Sequence, residues 1–545
     1  MEVVGRIGLE AMDGYEAADT TTETAGPEWR RSWWLHPGLG VEEMPGKGRG
    51  VVALERLEPG TVIAREWALG AALVPRPDAC TECGLPGQDA ACPECGVGWC
   101  GPLCEARALE YHWLECGESA SLVGAPGSTF RMALRVFFAT PRRLRSVWDK
   151  CRSAVPESPL RSALDSTEAR LCLAASLPSH RAETKSMPEW AAIKRRVRTL
   201  ARRIHQRLRG GPDAYAGAAA VERQLTNVLM VGYTNAFYVY RQLESAELGS
   251  PPGVAVGSGF FPGVSLLNHS CLPNTGRHFV GTRMEMRIIR PVEPGGEVTT
   301  TYGADPRGQT TAQRQARLTN WCFVCACPEA CGSADFRTAE AEYWGFACGA
   351  CDGPALPLAG RSGREWSLED VYRWSTESGE AGEPWQGSLP VRCQSCGAED
   401  RLAGAELERM VTALRVIRKR APFRADLAQL VSGLHRRNHR RLVAEWTAEL
   451  GRCQRRGGGL DDRALAAMAA VTGSVERLAG GPFGLDVADD AVEALRLLLR
   501  QPAHSVASLR RAAQFRDTAH RILANHYGPD SVQATRLADL VLPTN

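Results

Sequence analysis

The sequence predicts an α+β protein: short strands set apart by glycine turns, a cysteine-rich insert that splits them, and a helical tail. Three observations carry that prediction. Strand-like runs joined by Pro-Gly turns occur around 45–63 and again around 284–301. Of the 19 cysteines, fifteen fall into three groups once Cys271 is counted with the second, leaving Cys151, Cys172, Cys322 and Cys453 as ordinary thiols. From 405 onward apolar residues keep helical spacing, as in Leu407, Met410, Val411, Leu414 and Ile417 and in Val492, Leu495, Leu498 and Leu499.

Composition narrows the class. A chain of 545 residues holds three or four domains, and 44% apolar with 23% charged residues is ordinary for a globular protein. A net charge of +3 is too small to draw nucleic acid or a membrane through the global field. No run approaches the ~18 consecutive apolar residues of a membrane span. The first 30 residues lack a signal-peptide core, and their acidic residues argue against a transit peptide. The expected location is cytosol or nucleus, where clustered cysteines mean metal rather than disulfides.

Residues 1–32 read as a polar, disordered leader, and Trp33 and Trp34 mark the start of the folded part. The run Pro45-Gly46-Lys47-Gly48-Arg49-Gly50 then forms a glycine-rich turn leading into a strand. Its glycines would let a ligand approach the backbone, with Lys47 and Arg49 at hand for an anionic group. A glycine-rich hairpin with no ligand is the plainer reading.

From Cys80 the spacing becomes specific: Cys80-x2-Cys83-x8-Cys92-x2-Cys95-x4-Cys100-x3-Cys104-x7-His112-x3-Cys116. Eight soft or borderline ligands in 37 residues match two tetrahedral zinc sites. So short a segment buries little core, and metal must hold it together. It resembles the MYND zinc finger, with all eight ligand positions filled. That resemblance implies one zinc on Cys80, Cys83, Cys100 and Cys104 and a second on Cys92, Cys95, His112 and Cys116. A RING finger would need a Cys-x-His-x2-Cys centre, which is lacking.

Residues 117–234 read as mainly helical. Lys194–Arg209 carries eight basic residues and no acid, with Val197, Leu200, Ile204 and Leu208 on one apolar face. It is either a patch for an acidic partner or, the preferred reading, the solvated face of a packed helix. A Gly/Pro/Ser-rich loop over 249–259 then delivers the chain to Phe261–Asn274. There the apolar run Val264–Leu267 ends, strand-like, in Asn268-His269-Ser270-Cys271, and Pro273 forbids its continuation. Taken alone this is a buried strand end with a hydrogen-bonded His269 and an inert Cys271. Further on, Cys325, Cys327 and Cys331 supply three thiols that need a fourth, and Cys271 is the candidate. Cys348, Cys351, Cys393 and Cys396 look like a four-cysteine zinc ribbon with a long, 41-residue spacer, the alternative being two ordinary turns.

Together the pieces GKGRGVVALERLEPGTVI, the finger, Asn235-Ala236-Phe237, FPGVSLLNHSCLPN, PGGEVTTTYG and CFVCACPEAC resemble, in order, the SET-and-MYND (SMYD-type) protein-lysine methyltransferases. The resemblance covers most of 40–335 and implies a SET β-fold split by the finger. It divides the chain into a leader (1–32), a first SET part (33–79), the MYND finger (80–116), a helical insert (117–234), the SET core (235–320), a post-SET zinc segment (321–335), the ribbon (336–400) and a tetratricopeptide-like helical tail (401–545). It implies S-adenosyl-L-methionine bound by Lys47, Gly48, Arg49, Asn235, Asn268, His269, Tyr302 and Phe323, with Tyr302 catalytic. It also implies a post-SET zinc on Cys271, Cys325, Cys327 and Cys331. Two departures stand out: an x3 gap between Cys327 and Cys331 where x2 is common, and Trp321 where a tyrosine is frequent.

The expected function is transfer of methyl groups to lysine side chains of a histone or non-histone protein. A catalytically silent adaptor, binding proline-containing peptides through the finger, is the alternative from another class. It would not need the set Asn268, His269 and Tyr302. A nucleic-acid-binding reading has only the basic helix behind it, since the fingers present no base-reading helix.

Overall fold

The computed structural model describes residues 33–117, 123–140, 167–208, 217–241, 254–357 and 388–403, single positions aside, together with scattered positions from 434 to 453 and most of 461–540. The leader and the stripe Leu407–Ile417 lie outside the described residues. Before the finger run β1 (Trp33–Leu35), β2 (Leu39–Met44), β3 (Gly48–Ala53), β4 (Val62–Trp67) and β5 (Gly70–Leu73). The finger itself holds the hairpin β6 (Ala90–Ala91) and β7 (Gly98–Trp99). After the insert follow β8 (Ala236–Arg241), β9 (Val254–Phe260), β10 (Asn268–His269), β11 (Thr275–Val280), β12 (Arg283–Ile288) and β13 (Glu297–Thr300).

These strands interleave across the chain. The sheets run β1-β4-β12-β11, β10-β13-β3-β2 and β5-β9-β8, so each takes strands from both sides of the finger and insert. Neither half can bury its apolar face without the other. Val51, Val52 and Ala53 of β3 and Met284, Met286 and Ile288 of β12 are all buried. The β2–β3 hairpin closes through Pro45-Gly46, with Lys47 N donating to Met44 O at 3.0 Å. Gly46 sits at φ 72°, the left-handed value that the third position of a type II turn demands.

The finger and insert pack on this core through helices. α1 (Pro102–Glu115) starts with proline in its first turn, where no N–H partner is lost. α2 (Thr129–Ala139) is capped by Ser128. α3 (Thr167–Ser176), α4 (Arg181–Ser186), α5 (Trp190–Arg207) and α6 (Ala218–Asn235) complete the insert. On α2, Arg135 forms two buried hydrogen bonds to Glu115 of α1, at 2.9 and 2.7 Å, and donates to Ala71 O and Thr81 O. One guanidinium thus joins β5, the finger and the insert. The basic helix α5 buries Ile193, Val197, Leu200, Ala201 and Ile204. Several of its arginines are spent on packing: Arg196 lies 5.0 Å over Phe130, Arg207 5.9 Å over Trp113, and Arg198 pairs with Glu222 at 3.5 Å. That is the packed-helix arrangement.

A second core gathers Cys271, Leu272, Cys325 and Cys327 with helices that follow the sheets. These are α7 (Thr311–Leu318), α8 (Ala334–Trp344), α9 (Asp462–Leu478), α10 (Leu485–Leu499), α11 (Val506–Tyr527) and α12 (Val532–Ala538). Val492, Leu495 and Leu498 face this core, as their spacing predicts. Between α8 and α9 lies a small sheet in order β14-β15-β16-β17, formed by β14 (Phe346–Ala347), β15 (Pro354–Pro357), β16 (Ser388–Cys393) and β17 (Glu399–Ala403). Among the described residues no helix is long and apolar enough to cross a membrane.

Two local expectations are corrected. The segment expected as a loop over 249–259 is strand from Val254. Its glycines are there for close packing: a Cβ on Gly257 would stand 2.1 Å from Ala72 O of the neighbouring strand. The apolar run Val264–Leu267 is not a strand end either. Val264–Leu266 form a 3-10 turn, and only Asn268 and His269 pair, in parallel, with Thr299 and Thr300. The turn wins because Gly263 N and Val264 N find an acceptor in the buried Glu66 carboxylate, at 3.2 and 2.9 Å.

Helix α11 covers the outer strand β11, where the ring of Tyr527 meets His278 edge-on at 6.1 Å. Burial, opposed by Glu285, pulls the titration of His278 down to about 4. The unfolded chain takes up this proton near pH ~6.5, whereas the folded one resists until about 4, so stability is lost as pH falls through that window. Urea unfolding at pH 7 and pH 5 should show that loss, and His278→Gln should remove part of it.

Candidate active site

The corner after the 3-10 turn gathers three jobs into four residues. Asn268 Nδ2 donates to Glu297 Oε1 at 3.0 Å and to Arg49 O at 3.3 Å. Glu297 also pairs with Lys47 Nζ at 2.5 Å, so this carboxylate joins the glycine turn to the corner. His269 is buried, and its Nδ1 accepts from Tyr302 N at 3.1 Å. That bond places the proton of the neutral ring on Nε2, which faces Cys271 Sγ at 3.4 Å. Burial pulls its titration down to about 4, with Cys327 opposing and Arg314 assisting. Both ring nitrogens are therefore used within the protein, and the imidazole serves Tyr302 and Cys271. Three residues on, Asn274 exchanges hydrogen bonds with the backbone of β13, to Glu297 O and from Thr299 N, both at 2.8 Å, in place of a strand partner.

Tyr302 sits where β13 ends. Its hydroxyl donates to Leu267 O at 2.9 Å. Its ring lies 5.3 Å from His269, 5.8 Å from Trp321 and 6.2 Å from Phe323. Burial, reinforced by the Glu297 charge, pushes its titration well above the ordinary tyrosine range, so the phenol stays protonated at neutral pH. With the proton committed to Leu267 O, the hydroxyl oxygen keeps its lone pairs for another donor. The site thus offers an acceptor inside an aromatic surround.

The other expected site residues form a rim. The backbone at Gly48 has φ 70°, and a Cβ there would meet nothing within 4 Å. Arg49 turns inward, donating to Ser176 O at 2.7 Å and Ser176 Oγ at 3.2 Å, and burial lowers its titration against the opposing Glu43 charge. Asn235 donates to Pro178 O at 2.8 Å and Val231 O at 2.9 Å, while its own carbonyl accepts from Ser265 Oγ at 3.2 Å. The segment 176–178 therefore stands between the glycine turn and the end of α6. A cavity of about 290 Å³ opens beside it, lined by Ser176, Pro178, Arg181 and Asn227 among others.

Four donor sets accompany the site: Cys80, Cys83, Cys100 and Cys104; Cys92, Cys95, His112 and Cys116; Cys271, Cys325, Cys327 and Cys331; and Cys348, Cys351, Cys393 and Cys396. These are the four groupings the sequence predicts, and each could hold a metal ion. Within them Cys83–Cys100 measures 3.6 Å, Cys92–Cys116 3.8 Å, Cys271–Cys331 3.7 Å and Cys351–Cys393 3.5 Å. A zinc tetrahedron with ~2.3 Å bonds to sulfur has edges of about 3.8 Å, whereas a disulfide is ~2.05 Å long. The separations match one shared ion. Gln315 supports the third set, donating to Cys325 O at 2.7 Å and accepting from Cys325 N at 2.9 Å.

Sequence reasoning passed over Glu297, Glu66, Gln315 and Ser176–Pro178. Glu297 stood inside a quoted motif without a role. Glu66 and Ser176–Pro178 act through contacts far off in the chain, and Gln315 through Cys325 ten residues on, a pairing that no motif announces. Glu66, only 1% exposed, holds the 3-10 turn and faces Arg170 at 3.5 Å. Glu66→Ala should cost about 3–5 kcal/mol in chemical denaturation, since it leaves a buried arginine and two backbone N–H groups unpaired. Glu66→Gln, which still accepts, should cost clearly less.

A family model for the SET domain matches residues 48–303. Human protein-lysine N-methyltransferase SMYD4 is 33% identical over 168 residues, which are 30% of this chain and 19% of that protein. The mouse SMYD4 is 39% identical over 100 residues, 18% of this chain and 12% of the relative. Human N-lysine methyltransferase SMYD2 is 37% identical over 87 residues, 16% and 20% respectively. The matched stretches thus span at most a fifth of these relatives' lengths. A crystal structure of the SET domain of LSMT bound to lysine and AdoHcy aligns over 92% of this chain and 91% of its own at 14% identity, with a TM-score of 0.29, too loose a likeness to bear on the site.

Proposed function

We propose that the chain is a SET-domain protein of the SMYD type, on its similarity to that family, and that it transfers methyl groups from S-adenosylmethionine to the side-chain amine of lysine in a protein substrate. The observation that carries this reading is the protonated Tyr302, its hydroxyl fixed on Leu267 O and its ring among His269, Trp321 and Phe323.

The cofactor supplies a methyl group on a positively charged sulfur, and the lysine nitrogen must reach it as a neutral amine. A free lysine has a pKa of ~10.4, so about one in 2,500 is neutral at pH 7, a deficit of roughly 4.6 kcal/mol. The aromatic walls offset part of this by stripping water from the ammonium, which lowers its pKa. The Tyr302 hydroxyl, held protonated, serves as an acceptor that orients the nitrogen and not as a base. The amine proton leaves to solvent before transfer. Holding nitrogen and methyl in line supplies several further kcal/mol.

Lys47, Gly48, Arg49 and Asn235 form the rim on which the cofactor lies, with Asn268 and Glu297 fixing the rim to the corner. His269 acts as a positioning residue for Tyr302. The third cysteine set holds zinc, which fastens Cys271 to the segment carrying Phe323. The finger holds two zincs and the ribbon one. The finger also offers a site for proline-containing peptides, and the protein works in cytosol or nucleus on histone or non-histone substrates.

Tyr302→Phe should lower transfer of labelled methyl groups onto histones or lysate proteins by about 10²-fold while leaving the zinc content unchanged. Undiminished transfer would strip the tyrosine of its role. Calorimetry that finds no S-adenosylmethionine binding to zinc-replete protein would sink the enzymatic reading. Cys271→Ser should remove one zinc by metal analysis and weaken cofactor binding together with it.

A further inference from the structure

One donor cluster belongs to none of the four sets. His180, Glu183 and Cys322 bring an imidazole nitrogen, a carboxylate oxygen and a thiol sulfur within 4.8 Å of one another. They come from parts of the chain that the sequence separates widely. His180 immediately precedes α4 without capping it through its side chain, Glu183 lies one turn further on the same face, and Cys322 ends the 3-10 turn Thr319–Trp321. We propose that these three residues form a fifth metal site, taking a borderline divalent ion of the zinc class and clamping the helical insert to the segment that carries Trp321 and Phe323.

The donor chemistry favours such an ion. Nitrogen, oxygen and sulfur together suit zinc better than magnesium or calcium, which take oxygen alone. No hydrogen bond joins the three side chains among the described residues, so they are not a closed polar network. All three donor atoms lie within 4.8 Å of one another, a spacing that side-chain rotation can bring to the edge of a zinc tetrahedron, since Glu183 is exposed and the other two are half-buried. Three protein ligands leave a fourth position for water, unlike the four-donor clusters elsewhere in the chain. Both anchoring positions have left-handed backbone, His180 at φ 39° and Cys322 at φ 61°. The remaining described non-glycine residue of this kind, Asp352, follows the ribbon ligand Cys351.

An ordinary thiol is protonated at neutral pH. Binding forms a metal–sulfur bond and releases that proton to solvent, so occupancy should rise with pH. The clamp would span the rim. Pro178, two residues before His180, receives the Asn235 amide, and the neighbours of Cys322 on either side, Trp321 and Phe323, face Tyr302. That the clamp closes over a methyl-transfer site rests on the proposed function; the presence of the ion does not.

The test uses the full chain loaded with zinc in its four cysteine-rich sets. Calorimetric titration with zinc should find one further, weaker equivalent, lost in His180→Ala and in Cys322→Ser. Glu183→Gln should weaken it by at least the ~10–100-fold that loss of a supporting residue costs. In the wild-type chain, zinc should slow alkylation of Cys322, read by mass spectrometry of its peptide, and a mild chelator should restore it. The proposal is overturned if no fifth equivalent binds, if it binds the His180→Ala, Cys322→Ser double variant equally well, or if zinc leaves the alkylation rate of Cys322 unchanged.

Discussion

The arrangement hangs on the two-residue parallel pairing of Asn268 and His269 with Thr299 and Thr300. So short a ladder contributes little on its own. Its importance is positional, because the side chains along it point to different neighbourhoods. Asn268 reaches the glycine turn through Glu297, His269 reaches Tyr302, and Cys271 reaches the thiols of the second core. Leu266 and Leu267 belong to one apolar core and Cys271 and Leu272 to the other. The corner is therefore the seam between two cores, and the candidate site lies on that seam. A shift of one residue in this pairing would turn every one of these side chains to the wrong face.

Metal clusters and buried charges keep the seam in register by different means. With an ion bound, the Cys271 set would fix distances, since a tetrahedral ion tolerates little variation in its edges. Glu66 fixes direction, since its two oxygens accept from consecutive backbone N–H groups and so set the path of the 3-10 turn. Arg135 does the same for the finger by spreading one guanidinium over Glu115, Ala71 and Thr81. Such buried ions add little net stability against an apolar alternative, but leaving one unpaired is costly. Their use here is to specify geometry.

What the sequence disclosed follows the range of the interactions involved. Cysteine spacing is local within the finger, and the structure brings those side chains together in the two groups that the sequence suggested. The corner motif pointed to residues that the fold does gather, Asn268, His269 and Cys271, but to the wrong local shape. An apolar run of four is compatible with strand or turn, and the deciding acceptor, Glu66, lies 198 residues from Val264. The strand at Val254–Phe260 was hidden by its glycines, which read as loop until the close approach of β5 is known. His269 is a further case: its residue type fits a ligand contact, yet both ring nitrogens are spent inside the protein. Glu297 had a recognisable setting but a role visible only through Lys47 and Asn268.

The interleaving of strands has a consequence for how the chain is made. β3 cannot be completed until β13 exists, and Lys47 and Glu297, which close that contact, are 250 residues apart. At ~5–20 residues per second on the ribosome, the wait is roughly 12–50 s, during which the first strands present unpaired edges. The finger and the insert emerge within that interval, before β8 to β13. Once they have, the β5–β9 pairing brings the two ends of the insertion together and shortens the loop that β13 must close. On this view the inserted finger and helices are also the internal scaffold that lets a divided sheet find its other half.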